Sequence, residues 1–390
     1  MQRWRQYVDR QKREYMDILY PTAIAADMVV VIPCYNEPEL TETLDSLLAC
    51  DRPNAKVLVA VVCNAGENAA EGGILQNRVT YRQTLQRARS LTDPGGITLF
   101  PLLFEELPRK HAGVGLARKI GMDLAVHHFL HHEKKHGVII SLDADCTVSA
   151  NFLTAIWDAF SANGKLNATL HAFEHRVKGD DSRLEKAVRQ YESYLGYVSK
   201  MLQQIGFPFY WHTIGSAFAV SADGYVKTGG MGRQQGGEDF YFLQKIFARG
   251  NIMELPDVVV YPLARFSDRV PFGTGPALQK ILEEPDGVLK VYSRRSFREL
   301  SLLFARIDQL FHLDEGRGAA IMDALHPSLV AYLQENDFWG MIADCKQNSA
   351  TVHAFRKRFF HHFNAFRIIR YLNRVHPNPY PFETIHEVMA

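Results

Sequence analysis

Residues 28–33 read Met-Val-Val-Val-Ile-Pro, an unbroken apolar, β-branched run of strand length. It stops at Asn36-Glu37-Pro38, and Leu40, Leu44, Leu47 and Leu48 then fall at helical spacing. Such a run, with no polar residue in alternation, predicts a strand buried on both faces. The pattern recurs along the first half. Residues 57–62 form a second apolar run ending at Cys63-Asn64-Ala65-Gly66, and residues 97–104 form a third. Residues 113–126 have helical character, and residues 138–142 form a short strand ending abruptly in Asp143-Ala144-Asp145. Strands alternating with helices predict an α/β fold with a mixed, mostly parallel sheet and helices on both faces. In such a sheet ligands bind beyond the carboxyl ends of the strands, where the polar residues of this chain fall.

Farther along, residues 180–205 have helical spacing and residues 209–220 look strand-like. They lead into a loop, residues 229–237, that reads Gly-Gly-Met-Gly-Arg-Gln-Gln-Gly-Gly. That much glycine predicts a functional or mobile loop. From about Pro276 the pattern is helical and increasingly basic, until Pro377, Pro379 and Pro381 break it. The organisation expected is an N-terminal helical extension over 1–26, a catalytic domain over 27–275 and a helical C-terminal region over 276–390. The catalytic domain divides into a donor half of about 27–146 and an acceptor half of about 147–275. There is no internal repeat.

With 390 residues, 47% of them hydrophobic and 22% charged, the chain has the composition of a folded protein with a sizeable core. Its 44 Lys plus Arg against 43 Asp plus Glu leave a formal charge of +1, so no global field attracts nucleic acid. Five cysteines, an odd number without a CxxC pair, fit a reducing compartment. The N-terminus is polar, and no uncharged run approaches the roughly 18 residues that span a bilayer. The expected location is cytoplasmic, with peripheral contact to the inner face of the membrane left open.

Two carboxylates two apart directly after a buried strand, Asp143 and Asp145, offer hard oxygen ligands for Mg²⁺ or Mn²⁺ against a diphosphate. Alternation along an extended segment would point both to one side. A turn or helix cap explains the same pair. A second acidic pair, Glu238-Asp239, follows the glycine loop and opens a helix-like segment. There a carboxylate can take a proton from an attacking hydroxyl, or simply favour a helix N-terminus. Gly113-Val114-Gly115 followed by Arg118-Lys119 offers close backbone approach and positive charge near a diphosphate. It lacks the glycine spacing and lysine-hydroxyl pair of a P-loop or a dinucleotide fingerprint.

Taken in order, Val31-Ile32-Pro33-Cys34-Tyr35-Asn36-Glu37, Ala117-Arg118-Lys119-Ile120-Gly121, Asp143-Ala144-Asp145 and Gly237-Glu238-Asp239 resemble the motifs of the family 2 glycosyltransferases, which have the Rossmann-like glycosyltransferase A fold. The resemblance covers about residues 28–250 and thins to a loose likeness around residues 269–275. It implies that Pro33, Tyr35 and Glu37 line a nucleotide pocket, with Asn64 at a strand end where the family often carries Asp. Asp143 would contact the ribose side, Asp145 with Asp143 would hold Mn²⁺ or Mg²⁺, and Arg118 would face the donor. Asp239 would be the general base, with Glu238 orienting it. The implied reaction is inverting transfer of a sugar from a UDP- or GDP-linked donor to an acceptor hydroxyl on a glycan, lipid-linked sugar, protein or small molecule. No histidine lies between His212 and His312, which leaves Arg265 and Arg269 as diphosphate contacts. The Gln-x-x-Arg-Trp motif and membrane helices of processive synthases are missing from the sequence, which points to single addition. The alternatives are a sugar-phosphate nucleotidyltransferase and a catalytically silent sugar-nucleotide or glycan-binding protein.

Two other patterns suggest less. His127, His128, His131, His132 and His136 contain i, i+4 pairs that could bind Zn²⁺, but neighbouring Glu133-Lys134-Lys135 reads as a solvated face. The basic, aromatic stretch from Arg356 to Arg374 could lie on an anionic membrane, or dock on the protein with its arginines outward.

Overall fold

The computed structural model describes residues 1–11, 23–91, 96–266, 273–313 and 318–389. The chain divides into two compact units, one built from Met1–Asp180 with Thr213–Pro276, the other from Asp181–His212 with Ala277–Ala390. The division falls at Pro276, beside the boundary drawn from sequence. The segment Asp181–His212, counted above with the acceptor half, groups with the C-terminal helices.

The first unit is an α/β fold around an eight-stranded sheet. Its strands are β1 (Met28–Cys34), β2 (Val57–Gly66), β3 (Ile97–Leu107), β4 (Val138–Ser141), β5 (Cys146–Val148), β6 (Ala168–Phe173), β7 (Phe218–Ser221) and β8 (Ile252–Pro262). They lie in the order β3-β2-β1-β4-β7-β6-β8-β5. The first four pair in parallel, β7 runs antiparallel between β4 and β6, and β5 is antiparallel to β8. The four expected strands form. The strand-like stretch 209–220 does not: regular pairing is confined to β7, and the residues before it run as loop. Aromatic and β-branched composition alone did not separate strand from loop there.

Every residue of β1 and β2 is buried, as their unbroken apolar runs require. Val30, Ile32, Val59 and Val61 pack with Leu44, Leu47, Phe152 and Ile156 on one face. On the other, the helix Val114–His131 lays Leu116, Ala117, Ile120 and Leu124 against Val62 and Leu102. Each such side chain contributes about 1.5–3 kcal/mol on leaving water. The helix sits so close that a Cβ on Gly121 would overlap the Val31 side chain. Because β1, β2 and β4 run parallel, the loops after Cys34, Gly66 and Ser141 emerge along one edge of the sheet.

The second unit is helical apart from a two-stranded antiparallel pair, Lys290–Val291 with Glu383–Thr384. Phe304 lies edge-on to Phe360 and Phe363 at 5.1 and 5.6 Å, and Phe359 stacks on Phe363. The basic helix Ala365–Val375 buries Ile368, Tyr371, Leu372 and Val375. It exposes Ile369, Arg370 and Arg374, and Arg370 lies 4.3 Å over the Phe366 ring. Its apolar face is therefore already docked on protein. Among the described residues, no helix is long and apolar enough to cross a membrane.

Gly121→Ala should cost about 1–3 kcal/mol by overpacking the seam between the Val114–His131 helix and β1. Urea unfolding measures it, and native stability in the variant would contradict the packing described.

Candidate active site

Pro33 is buried within β1, and the loop that follows turns at Asn36, whose φ is +49°. The Tyr35 ring lies half-buried over the helix Glu71–Ser90, where a Cβ on Gly73 would come within 2.6 Å of the Tyr35 hydroxyl. The buried residues of that helix are Gly73, Asn77, Thr80 and Thr84, a small and polar stripe where an ordinary amphipathic helix carries aliphatic side chains. The stripe holds loops rather than core. Asn77 Oδ1 accepts the Asn36 amide at 2.9 Å while its Nδ2 donates to the Asn64 carbonyl at 2.9 Å, tying the ends of β1 and β2 together. Asn64 is itself buried, its Nδ2 3.4 Å from the Gly113 carbonyl. Sequence reasoning missed Asn77. Its only signal was that stripe, at positions i, i+4, i+7 and i+11.

After β4 the chain does not stay extended through Asp143-Ala144-Asp145. It turns, with the Cys146 amide bonded to the Asp143 carbonyl at 3.2 Å. The two carboxylates are thus presented by a turn, and they meet different arginines. Arg118, only 2% exposed, donates from Nη2 to Asp143 Oδ1 at 2.6 Å and from Nη1 to Glu238 Oε1. Arg265 donates to both oxygens of Glu37 and, at 2.9 Å, to Asp145 Oδ2. Asp239 lies beside Arg118. A Cβ on Gly215 would stand 2.7 Å from Asp239 Oδ2 and 2.8 Å from Arg118 Nη2, so only glycine fits between them. Nothing in the sequence around Gly215 announced that contact. Arg269 lies outside the described residues.

Two expectations change in this setting. Arg118 was expected to face an incoming donor, but its guanidinium is sealed among carboxylates and acts through them. Gly113 and Gly115 do allow close approach, yet the backbone that approaches belongs to residues 229–237. A Cβ on Gly115 would overlap the Gln234 carbonyl, one on Gly113 would press on Gln235 at 3.1 Å, and Lys119 turns away to Asp123 at 2.7 Å. That loop ends at Gly237, whose φ of +72° starts the helix Glu238–Phe247, and Phe240 donates its amide to Asp239 Oδ1 at 2.7 Å. Glu238 is buried beneath Arg118, whereas Asp239 is half-exposed.

Among the described residues, five carboxylates, Glu37, Asp143, Asp145, Glu238 and Asp239, share two guanidiniums. Burial, reinforced by Asp143 and opposed by Arg265, pushes Asp145 up to about 6. Burial also raises Glu238 and Asp239, against the pull of Arg118. Asp143 and Asp145, with side chains 38% and 21% exposed, are the accessible oxygen donors of this group. Among the described residues, Asp344, Cys345 and His362 of the other unit are close enough to share an ion, whereas Asp143 and Asp145 belong to no such group of three His, Cys, Asp or Glu side chains. Of the histidines on the Val114–His131 helix, His128 Nε2 accepts the Ala26 amide at 3.1 Å, a structural bond.

Asn77→Ala should cost about 2–3 kcal/mol, two hydrogen bonds lost with an amide and a carbonyl left behind. Thermal and urea unfolding would show it, and an unchanged midpoint would remove Asn77 from this role.

No protein-family model matches the chain, and no curated protein matches it. Among solved structures it is similar to TarS of S. aureus. The crystal structure of TarS residues 1–349 with UDP-GlcNAc aligns at a TM-score of 0.40 and 13% identity, over 86% of this chain and 92% of that one. The same TarS segment without that ligand in its description aligns at 0.36 and 13%, over 86% and 91%. A longer TarS structure aligns at 0.36 and 14%, over 90% of this chain and 55% of that one. Likenesses this distant carry no weight for the chemistry, which rests on the geometry above.

Proposed function

We propose that the protein is a metal-dependent, inverting glycosyltransferase that moves one sugar from a UDP- or GDP-linked donor to an acceptor hydroxyl. The observation that carries the reading is the convergence of Asp143, Glu238 and Asp239 on one buried guanidinium, beside Asp145, Glu37 and Arg265, at the carboxyl ends of parallel strands. Nucleotide sites of open α/β sheets lie at that edge. Arg118 holds a carboxylate-rich centre rigid, and the charge shortfall fits a cation.

Glu37 with Tyr35 and Asn64 would line the nucleotide end, held by Asn77. Asp145 and Asp143 would hold Mn²⁺ or Mg²⁺, which supplies positive charge against the donor's diphosphate. Asp239, the half-exposed member of its pair, would take the proton of the acceptor hydroxyl. The acceptor oxygen then bonds the anomeric carbon as the bond to the diphosphate breaks, and its electron pair leaves with the nucleotide. Burial helps Asp239 as a base by raising its affinity for that proton. Glu238, with its oxygen on Arg118, orients the pair. Arg265 is the guanidinium free to exchange a carboxylate for a phosphate oxygen, since its side chain is 26% exposed.

The test is nucleotide release from a panel of sugar nucleotides, with Mn²⁺ or with chelator. Asp239→Asn should lower turnover at least about a hundredfold while donor affinity stays within about twofold. Full turnover in that variant would remove Asp239 as the base.

Asp145→Asn should abolish the metal-dependent rise in melting temperature with the donor. The sign of its pH effect follows from the raised titration point. Ionised Asp145 costs stability, so its contribution is most favourable below the ordinary carboxylate range and is lost as pH rises through about 6. Asp145→Asn should therefore melt higher than the native chain at pH 8 without metal, with little difference at pH 4. Metal-dependent donor binding in the native chain should rise through about pH 6. A lower melting temperature for Asp145→Asn at pH 8 would contradict this account.

A further inference from the structure

A second buried polar cluster lies on the same helix as Arg118, built from residues to which the proposed reaction gives no part. Asp123 is five residues after Arg118, about 140° around the helix. Its Oδ1 accepts the Tyr7 and Tyr225 hydroxyls, each at 2.7 Å, and its Oδ2 accepts Lys119 Nζ at 2.7 Å. Lys119 also donates to Gln11 Oε1 at 3.0 Å and lies 5.8 Å over the Tyr7 ring. Tyr7 belongs to the N-terminal helix Gln2–Asp9, which adds a bond from Trp4 Nε1 to Asp223 Oδ1 at 3.3 Å. Tyr7, Asp123 and Tyr225 are all buried. A buried carboxylate with three donors contributes little net stability compared with apolar packing, so its value lies in what it holds in place.

What it holds is the start of the glycine loop. A Cβ on Gly230 would overlap the Tyr7 hydroxyl and come within 3.2 Å of the Tyr225 ring, and the Gly230 amide bonds the Tyr225 carbonyl at 3.0 Å. Five of the nine residues 229–237 are glycine, a sequence of high chain entropy that keeps one shape only when anchored. The far end is anchored where Gln234 and Gln235 press on Gly115 and Gly113, and the next residues are Glu238 and Asp239. The loop is thus pinned at both ends, and the N-terminal helix supplies one of the pins.

The geometry points to Tyr7 and Asp123 as positioning residues that hold residues 229–237, and through them Asp239, at the reacting centre. This inference rests on the glycosyl-transfer reading only for its consequence for rate. The tie between Tyr7 and the loop stands apart from it.

Tyr7→Phe in the full-length chain removes the hydroxyl and keeps the ring packed against Tyr225. Amide hydrogen exchange should accelerate about tenfold in residues 229–239, the ratio set by one lost hydrogen bond of ~1.4 kcal/mol, with β1 and β2 unchanged. Turnover of the sugar nucleotide should fall about tenfold while the donor's Kd stays within twofold. Exchange unchanged in 229–239, or raised equally throughout the first unit, would overturn the tie, as would selective loosening with native kcat for the role in positioning. Tyr225→Phe, which removes the parallel hydroxyl, should reproduce the pattern, and its failure to loosen the loop would count against the tie. If the native chain turns over no sugar nucleotide, the reading of the reaction fails, and the exchange measurement alone then decides the tie.

Discussion

A guanidinium sealed from water has to be surrounded by charge, and most of the candidate site follows from meeting that need at Arg118. Asp143 comes from the turn after β4, Glu238 and Asp239 from the start of a helix on the far side of a glycine loop, and the arginine from a helix laid across β1 and β2. Withdrawing one partner from such a group would leave a buried charge unmatched, a penalty of roughly 3–5 kcal/mol. Three segments distant in sequence are therefore held in one arrangement. The small residues around them serve the same need: Gly215 leaves room for Asp239 beside the guanidinium, and Gly115 lets the loop pass close over the helix.

The arrangement has a cost that makes chemical sense. Among the described residues the centre sets five carboxylates against two guanidiniums, and burial, with neighbouring carboxylates adding to it, makes Asp145, Glu238 and Asp239 resist ionisation. A centre selected for stability alone would not keep this excess. In the proposed reaction, a cation and a diphosphate would bring the charges that complete it. The second network, around Asp123, is the opposite case. Its carboxylate is matched by Tyr7, Tyr225 and Lys119 within the protein and has no call for a ligand.

The C-terminal helices show how composition can mislead. The stretch from Arg356 to Arg374 has the aromatic and basic content of a surface-seeking segment, but Phe359, Phe360 and Phe363 are buried in the unit's own core. The arginines line the outside because the rings already have partners. Only the register of one helix against its neighbours distinguishes the two cases.

Strand positions were legible in the sequence because short, unbroken, β-branched apolar runs bounded by turn residues suit the interior of a sheet, as with β1, β2 and β4. The carboxylates at the strand ends were equally legible, since acidic residues directly after a buried strand emerge at its carboxyl edge. Residues 209–217 were not, because aromatic, β-branched composition suits a covered loop as well as a strand. The sequence by itself determined the α/β fold and the edge of the sheet that carries the polar residues. Only the tertiary structure decided that Arg118 is buried rather than open, that Asp143 and Asp145 turn toward different arginines, and that Asn77, Gly215 and Tyr7 support the centre. Those outcomes depend on distances between segments as much as 228 residues apart, and hydrophobic periodicity reports only on neighbours within a few turns of the chain.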